Sequence, residues 1–221
     1  MKCINEEKRF YPPWAQENSS GINNNQQLFC CPRCYKQYNT YRQAKAHFLK
    51  CYFKPVDSIY SNEDTHIAKL SENTPRKYKE TIDNLGFASK QYQKIDFQLT
   101  RKNFDSNFAI YILLNPDFLI GYITYQSLEL RKRNNKLFKP WILWDFYIIP
   151  TERHKGRGKS EGHLLFEKSI ADLGIKRESL FFNIPLTEDS CKFFTKEGYC
   201  FINAYGNSGW QSNLPISESI K

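Results

Sequence analysis

Cys31, Cys34, His47 and Cys51 follow one another as Cys-x2-Cys, twelve residues, then His-x3-Cys, and no other feature restricts the fold of this chain so closely. Thiolates and imidazole are the donors Zn2+ takes in closed tetrahedral sites, and short pairs separated by a dozen residues are how small metal-nucleated units are built. The stretch CPRC (31–34) makes a tight knuckle presenting two sulfurs. TYRQAKAHFLKC (40–51) reads as a helix with His47 and Cys51 four residues apart and therefore on one face. Tyr38 and a Leu or Phe from that helix supply a small core. A structural zinc contributes about 10–16 kcal/mol to folding such a unit, which its own apolar residues cannot match. Cys30 beside Cys31 leaves two registers open, and Cys31 gives the better spacing.

The remaining cysteines, Cys3, Cys191 and Cys200, are scattered, and the total of seven is odd. The opening MKCINEEKRF has acids and no apolar centre, so no secretory leader is expected. Metal binding in a cytosolic or nuclear protein fits this usage better than a disulfide framework. No run approaches the ~18 apolar residues of a membrane span, so no membrane association is expected. With 40% hydrophobic and 16% aromatic residues, the chain can pack a sizeable core. Its formal charge of +9 suits a phosphate-bearing or acidic partner: nucleic acid, a nucleotide-like cofactor or an acidic protein surface. The charge is spread along the whole chain, so a generally Lys-rich composition accounts for it equally well.

Residues 1–27 read as a loose arm and 28–55 as the Cys-Cys-His-Cys finger. Residues 56–93 read as a linker, irregular over 56–73, with a helix over 75–85 capped by Thr74, opened by Pro75 and ended by Gly86. From 94 the period changes. KIDFQLTR (94–101), NFAIYILLN (107–115), FLIGYITYQ (118–126) and WILWDFYII (141–149) are strand-like, and Asn115-Pro116-Asp117 predicts an antiparallel hairpin between the second and third. A charged excursion fills 130–140. A helix over 159–174, a strand at 179–184, a short helix at 188–198 and a last strand at 199–205 follow, and the tail 206–221 reads as irregular. Antiparallel strands followed by alternating strands and helices predict an α+β domain with a mixed, mostly antiparallel sheet over 94–205.

The junction DFYIIPTERHKGRGK (145–159) carries a second constellation. Glycines between a strand and a helix let backbone N–H groups turn toward one point. With the helix dipole behind them, and with Arg153, Lys155 and Arg157 beside them, they make a phosphate cradle. An ordinary basic turn is the plain alternative. The dinucleotide fingerprint fails because position 161 is Glu161, and the P-loop fails because His154 stands where its first glycine belongs; an NTPase is a minor alternative.

Arg153-x-x-Gly156-x-Gly158 after a strand resembles the pyrophosphate-binding motif of the GNAT-fold acetyltransferases, which bind acetyl-CoA, and FFTKEGY (193–199) resembles the end of their following helix. The resemblance covers about residues 94–205. Within that fold, the finger and its trailing Pro, Asp and Ile-Tyr are similar to MYST histone acetyltransferases, as are FLIGYIT (118–124) and the spacing from Pro150 to Lys159. WDFYII, RHKGRG and FFNIP resemble the α-tubulin acetyltransferases, which lack the finger. Cohesin acetyltransferases also place a finger before the fold, with His as fourth ligand. The chain departs from these patterns at three positions: Asp145 where MYST enzymes have the active-site Cys, Asn183 where a carboxylate would follow the next strand, and Phe194 where many GNAT enzymes have an acid Tyr. The long helix these families place between finger and sheet is not recognisable.

The resemblance implies a lysine N-acetyltransferase with acetyl-CoA as substrate and a structural Zn2+. Backbone amides of His154, Lys155, Gly156, Arg157 and Gly158, with Arg153 and Asn183 nearby, would hold the pyrophosphate. Backbone N–H groups of the strand around Phe146 and Ile148 would orient the acetyl carbonyl. Asp145 or Glu152 would serve as base, and Tyr199 or Tyr147 would reprotonate the thiolate. A strand-end salt bridge is an equally good reading of Asp145. The acceptor expected is a lysine on a protein, histone or tubulin. Two other classes stay open: a catalytically inactive GNAT-fold scaffold or CoA-binding subunit, and a zinc-finger protein binding nucleic acid through its basic surface, including Arg131, Lys132, Arg133, Lys136 and Lys139, although a solvated loop explains that run more simply.

Overall fold

The structure is a computed structural model and describes residues 6–12, 28–52, 56–93, 107–115, 118–131, 137–153, 160–182, 188–199, 202–203 and 211–212. The predicted strand at 94–101 lies outside these residues.

The finger opens with β1 (Phe29–Cys30) paired antiparallel to β2 (Gln37–Tyr38), followed by α1 (Tyr41–Phe48). Thr40 starts α1 because its backbone is extended and its hydroxyl accepts the Gln43 N–H at 3.3 Å. The arm before the finger is not uniformly loose: Glu6–Phe10 is a 3-10 turn, and Phe10, 1% exposed, packs edge-on against Tyr41 and Phe48 of α1.

The stretch expected to be irregular carries β3 (Ser58–Ser61) and β4 (His66–Lys69). Asn62 joins them, its side-chain oxygen accepting the N–H groups of Asp64 and Thr65 at 3.0 and 2.7 Å. The next helix, α2 (Arg76–Gln93), does not stop at Gly86. Tyr78, Thr81, Ile82 and Leu85 form its buried stripe, so the sheet fixes the helix and one glycine, costing about 1 kcal/mol in a helix interior, does not end it. Nor does Thr74 reach forward as a cap; its hydroxyl accepts the Ser71 N–H at 2.8 Å.

The predicted hairpin is present as β5 (Phe108–Asn115) and β6 (Phe118–Ser127), antiparallel from Phe108↔Gln126 to Asn115↔Phe118, with a register shift between Leu113 and Leu114. The charged excursion contributes a small hairpin, β7 (Leu130–Arg131) and β8 (Leu137–Phe138). Then come β9 (Trp141–Ile148), a 3-10 turn at Pro150–Glu152, α3 (Glu161–Asp172), β10 (Phe181–Phe182), α4 (Glu188–Lys196), β11 (Ile202–Asn203) and β12 (Gln211–Ser212). The expected irregular tail therefore supplies a strand, which sits between β10 and β11.

Among the described residues the main sheet runs β11-β12-β10-β9-β6-β5-β4-β3. Its β9–β10 pair is parallel, bridged by α3, as a parallel pair requires; its other pairs are antiparallel. The fold is thus α+β, a mixed and mostly antiparallel sheet flanked by helices, with a small Cys/His unit near the N-terminus. Both faces of the central strands are covered, which is why β5 and β6 read as nearly continuous apolar runs. On one face Tyr111 and Tyr125 reach α3, their hydroxyls meeting Asp172 Oδ2 at 2.6 Å and Ser169 Oγ at 2.7 Å. Alternation along β6 turns Tyr122 to the opposite face.

Candidate functional site

The donor atoms of Cys31, Cys34, His47 and Cys51 all lie within 4.8 Å of one another. Cys34 Sγ and His47 Nε2 are 3.1 Å apart, and the three thiols are buried and free of disulfides. Three thiols and an imidazole converging on one point make a donor set that can hold a metal ion. Tyr38 and Phe48 pack around it. Arg33 closes the far side, donating to the carbonyls of Cys51 at 2.9 Å and Phe48 at 3.3 Å while its guanidinium lies 4.3 Å from the Phe48 ring centroid.

The structure also separates the two cysteine registers. Cys30 points away from the donor cluster into the main core, where burial pushes its thiol up to about 12. Tyr35 does the same. It has φ 54, a backbone state that a bulky residue rarely adopts, and this turns its ring out of the knuckle and into the sheet. There its hydroxyl donates to the Leu119 carbonyl at 2.6 Å. Asn84 of α2 adds a 2.8 Å bond to the Cys34 carbonyl. The knuckle is therefore wedged between α2 and β6.

The second site lies on β9. Pairing with β6 passes from Thr124↔Asp145 to Tyr125↔Leu143, so Trp144 is an extra residue, a β-bulge beside Asp145. Asp145 is 2% exposed. Its Oδ2 accepts the Tyr122 hydroxyl at 2.6 Å and its Oδ1 accepts the Phe146 N–H at 2.8 Å. Burial raises the carboxyl to about 6, with the two hydrogen bonds restraining the shift. Salt bridges among the described residues do not include Asp145. Tyr122 could not be found from the sequence, because its meeting with Asp145 needs the β6–β9 register.

The predicted site residues divide between the two faces of the sheet. Tyr147 shares the face of Asp145: its ring lies 6.1 Å from that of Tyr122, and it and Glu152 both bear electrostatically on Tyr35. Phe146 and Ile148 face the other way, toward the first turn of α3, where a Cβ on Gly162 would meet Phe146 Cζ at 3.2 Å and Ile148 Cγ1 at 3.5 Å. Tyr199 belongs to that second face, buried against Phe166 at 5.8 Å and Phe194 at 6.1 Å. Asp145 and Tyr199 are thus not brought together. The Phe146 N–H, expected to address a carbonyl, already donates to Asp145, and the Ile148 carbonyl accepts Arg153 Nε at 2.8 Å. Arg153 lies back over Tyr147, its guanidinium 5.5 Å from the ring centroid.

The glycine turn itself, His154, Lys155, Gly156, Arg157 and Gly158, lies outside the described residues, as does Asn183. Its two ends are described. The chain leaves β9 through Arg153, the C-cap of the Pro150–Glu152 turn, and enters α3 at Ser160, whose hydroxyl accepts the His163 N–H at 3.3 Å. The positive end of the α3 dipole therefore stands at the end of β9, held close to it by Gly162.

A third group was not foreseen. His163 of α3 and Glu197 after α4 share a hydrogen bond, and Glu167 completes a set of donors within 4.8 Å. Arg177 is bonded into the same set, to the Glu197 carbonyl at 2.9 Å and Oε2 at 3.2 Å and to Glu167. A guanidinium at the carboxylates makes this a charge network that ties α3, α4 and the Arg177–Ser179 turn together.

No protein-family model matches the chain, nor does any curated protein sequence. Solved structures similar to it include a mutant of the toxin AtaT bound to the C-terminus of the antitoxin AtaR (21% identity, 67% of this chain and 90% of that one, TM-score 0.44). The xEco2 acetyltransferase domain bound to a CoA conjugate is similar at 11% identity over 63% and 90% of the two chains, TM-score 0.46. An aminoglycoside acetyltransferase from an uncultured soil metagenomic sample, in complex with trehalose, is similar at 16% identity over 62% and 88%, TM-score 0.44.

Proposed function

We propose that this chain is an acetyl-CoA-dependent protein lysine N-acetyltransferase of GNAT-like architecture, braced by a zinc-holding finger. The observation that carries this reading is Asp145: a buried carboxyl raised to about 6, set at a bulge in the strand that leads into the Arg153-x-x-Gly156-x-Gly158 turn and α3. A group poised near neutral pH takes a proton from a lysine ammonium far better than an ordinary surface carboxylate does.

In this reading the turn amides and the α3 dipole receive the pyrophosphate. Asp145, directly or through a water, accepts a proton from the ammonium. The freed amine attacks the acetyl carbonyl carbon, the C–S bond breaks, and the proton that the nitrogen sheds passes to the leaving thiolate. Tyr147 is the better placed of the two candidate tyrosines for that last step, since it shares the face of Asp145 while Tyr199 does not. Histone and tubulin peptides are the acceptors to try first, following the MYST-like and tubulin-acetyltransferase-like segments of the sequence.

Acetyl-CoA titrated into the zinc-loaded chain should give calorimetric binding that Gly156→Glu abolishes, and acetyl transfer to at least one lysine peptide should follow. Absence of acetyl-CoA binding would sink the proposal. The tight enclosure of Asp145 by Tyr122 and the Phe146 N–H supports a second reading, a CoA-binding scaffold without turnover. Binding of CoA with no transfer to any lysine-bearing partner would select it.

A further inference from the structure

The finger carries Arg33, Lys36, Arg42, Lys45, Lys50 and Lys54 and no Asp or Glu anywhere between 28 and 55. The sheet and α2 hold it through its knuckle, by Tyr35 and the Cys34 carbonyl, and through Lys77 of α2, which donates to the Tyr52 carbonyl at 2.5 Å. Two of the cations are spent locally: Arg33 on carbonyls and Phe48, and Lys45 over the Tyr41 ring at 5.6 Å. The inner side of α1 holds Ala44, His47 and Phe48 against the donor cluster and the arm. The outer side exposes Arg42, Gln43 and Ala46, and the turn that follows the helix exposes Leu49, its C-cap, and Lys50. At 100° per residue Arg42, Gln43 and Ala46 fall within one third of the helix circumference. Arg42 and Lys50 form no ion pair with any described residue, and the first turn of α1 has no acid to offset the positive end of its dipole.

We propose that this outer face of α1 docks into the major groove of duplex DNA. A convex, narrow helix with a small residue, Ala46, at its centre enters a groove; an acidic peptide would need a cleft to lie in. Eight residues at 1.5 Å each make α1 about 12 Å long, with Arg42 in its first turn and Lys50 just past its last. Gln43, beside the N-terminus, is a side chain that pairs with adenine edges. The narrow major groove of duplex RNA does not admit a helix. With one small module the contact is modest and electrostatic. Arg42 and Lys50 against two phosphates give a salt slope of roughly −2 in log K against log salt. This site is separate from the proposed acetyl-transfer site and does not rest on it.

The test is fluorescence anisotropy of the full zinc-loaded chain with a labelled 20-bp DNA duplex across a salt series, with a 20-bp RNA duplex and a poly-glutamate peptide as the other arms. The expected result is DNA binding with the slope above, weaker RNA binding, and little peptide binding. Arg42→Ala/Lys50→Ala should weaken DNA binding on the order of tenfold and lower the slope by roughly 2. Its melting temperature should match the parent, since both residues are exposed. Arg42→Gln/Lys50→Gln, which keeps side-chain length, should behave alike. No binding to the DNA, peptide binding as tight as DNA binding, or variants that bind like the parent would each overturn the proposal.

Discussion

Tyr35 donates a 2.6 Å hydrogen bond to the backbone carbonyl of Leu119, and both residues are buried in one core with Cys30. Tyr35 is the residue after Cys34, so the knuckle that gathers the sulfurs also packs against the Leu119 end of β6, a strand inside the sheet. Removing only the hydroxyl, Tyr35→Phe, leaves the Leu119 carbonyl buried without that donor. The expected loss is about 1–2 kcal/mol in urea unfolding with an unchanged m-value. A loss below a few tenths would show that water or another group replaces the bond.

The same geometry couples the donor cluster to the sheet. One zinc per chain is expected by elemental analysis, and Cys34→Ser or Cys51→Ser should abolish it. Cys30→Ala should keep the metal, because Cys30 belongs to the main core rather than the donor cluster. Chelation should raise hydrogen exchange at β6 around Leu119 and at α2 around Asn84 as well as in 28–52. Exchange confined to the finger would contradict the coupling.

How much of this was legible beforehand depended on the length of the signal. The strands β5, β6 and β9 run for eight to ten residues of apolar and aromatic side chains and are visible as runs. Strands β3 and β4 have four residues each, with Ser58, Ser61, His66 and Lys69 at their ends; they are strands because β5 offers an edge to pair with. Strand β12 is held likewise, by its neighbours β10 and β11. The four metal donors were readable because spacing alone encodes them. Tyr35 was not, since its direction depends on a positive φ at a non-glycine residue. Asp145 was readable as a candidate, but its partner Tyr122 and its separation from Tyr199 depend on register and face.

Gly121 has a role that composition hides. A Cβ there would collide with Ile148 Cδ1 and sit 2.7 Å from the Tyr147 carbonyl oxygen. Backbone cannot yield as a side-chain tip can, so Gly121→Ala should cost about 1–3 kcal/mol and displace the Tyr147–Ile148 end of β9. Acetyl-CoA binding should weaken in parallel. Full stability in the alanine variant would mean that the two strands separate more easily than their register implies.

Asp145 should leave a signature in both stability and rate. Its folded-state value of about 6 lies above its ordinary 3.8, so the folded chain holds this proton more tightly than the unfolded chain does. The resulting stabilisation is full below about 4 and is lost as pH rises through about 6. At about 1.4 kcal/mol per unit, it amounts to on the order of 2–3 kcal/mol. Asp145→Asn cannot ionise, so relative to the parent it should gain stability between pH 4 and 7 and plateau above. Rate moves oppositely, because only the ionised form is a base. In the parent kcat/KM should rise through an inflection near 6, and Asp145→Asn should lower it roughly 10²–10⁴-fold and erase the inflection. Tyr122→Phe removes a hydrogen bond that favours the ionised form, so the inflection should move to higher pH while transfer persists. A positioning tyrosine predicts that shift, whereas a merely structural one predicts lower stability with the inflection unmoved. An Asp145→Asn variant with the parent's pH profile would remove Asp145 from the chemistry and leave the carboxyl as a buried polar pair with Tyr122.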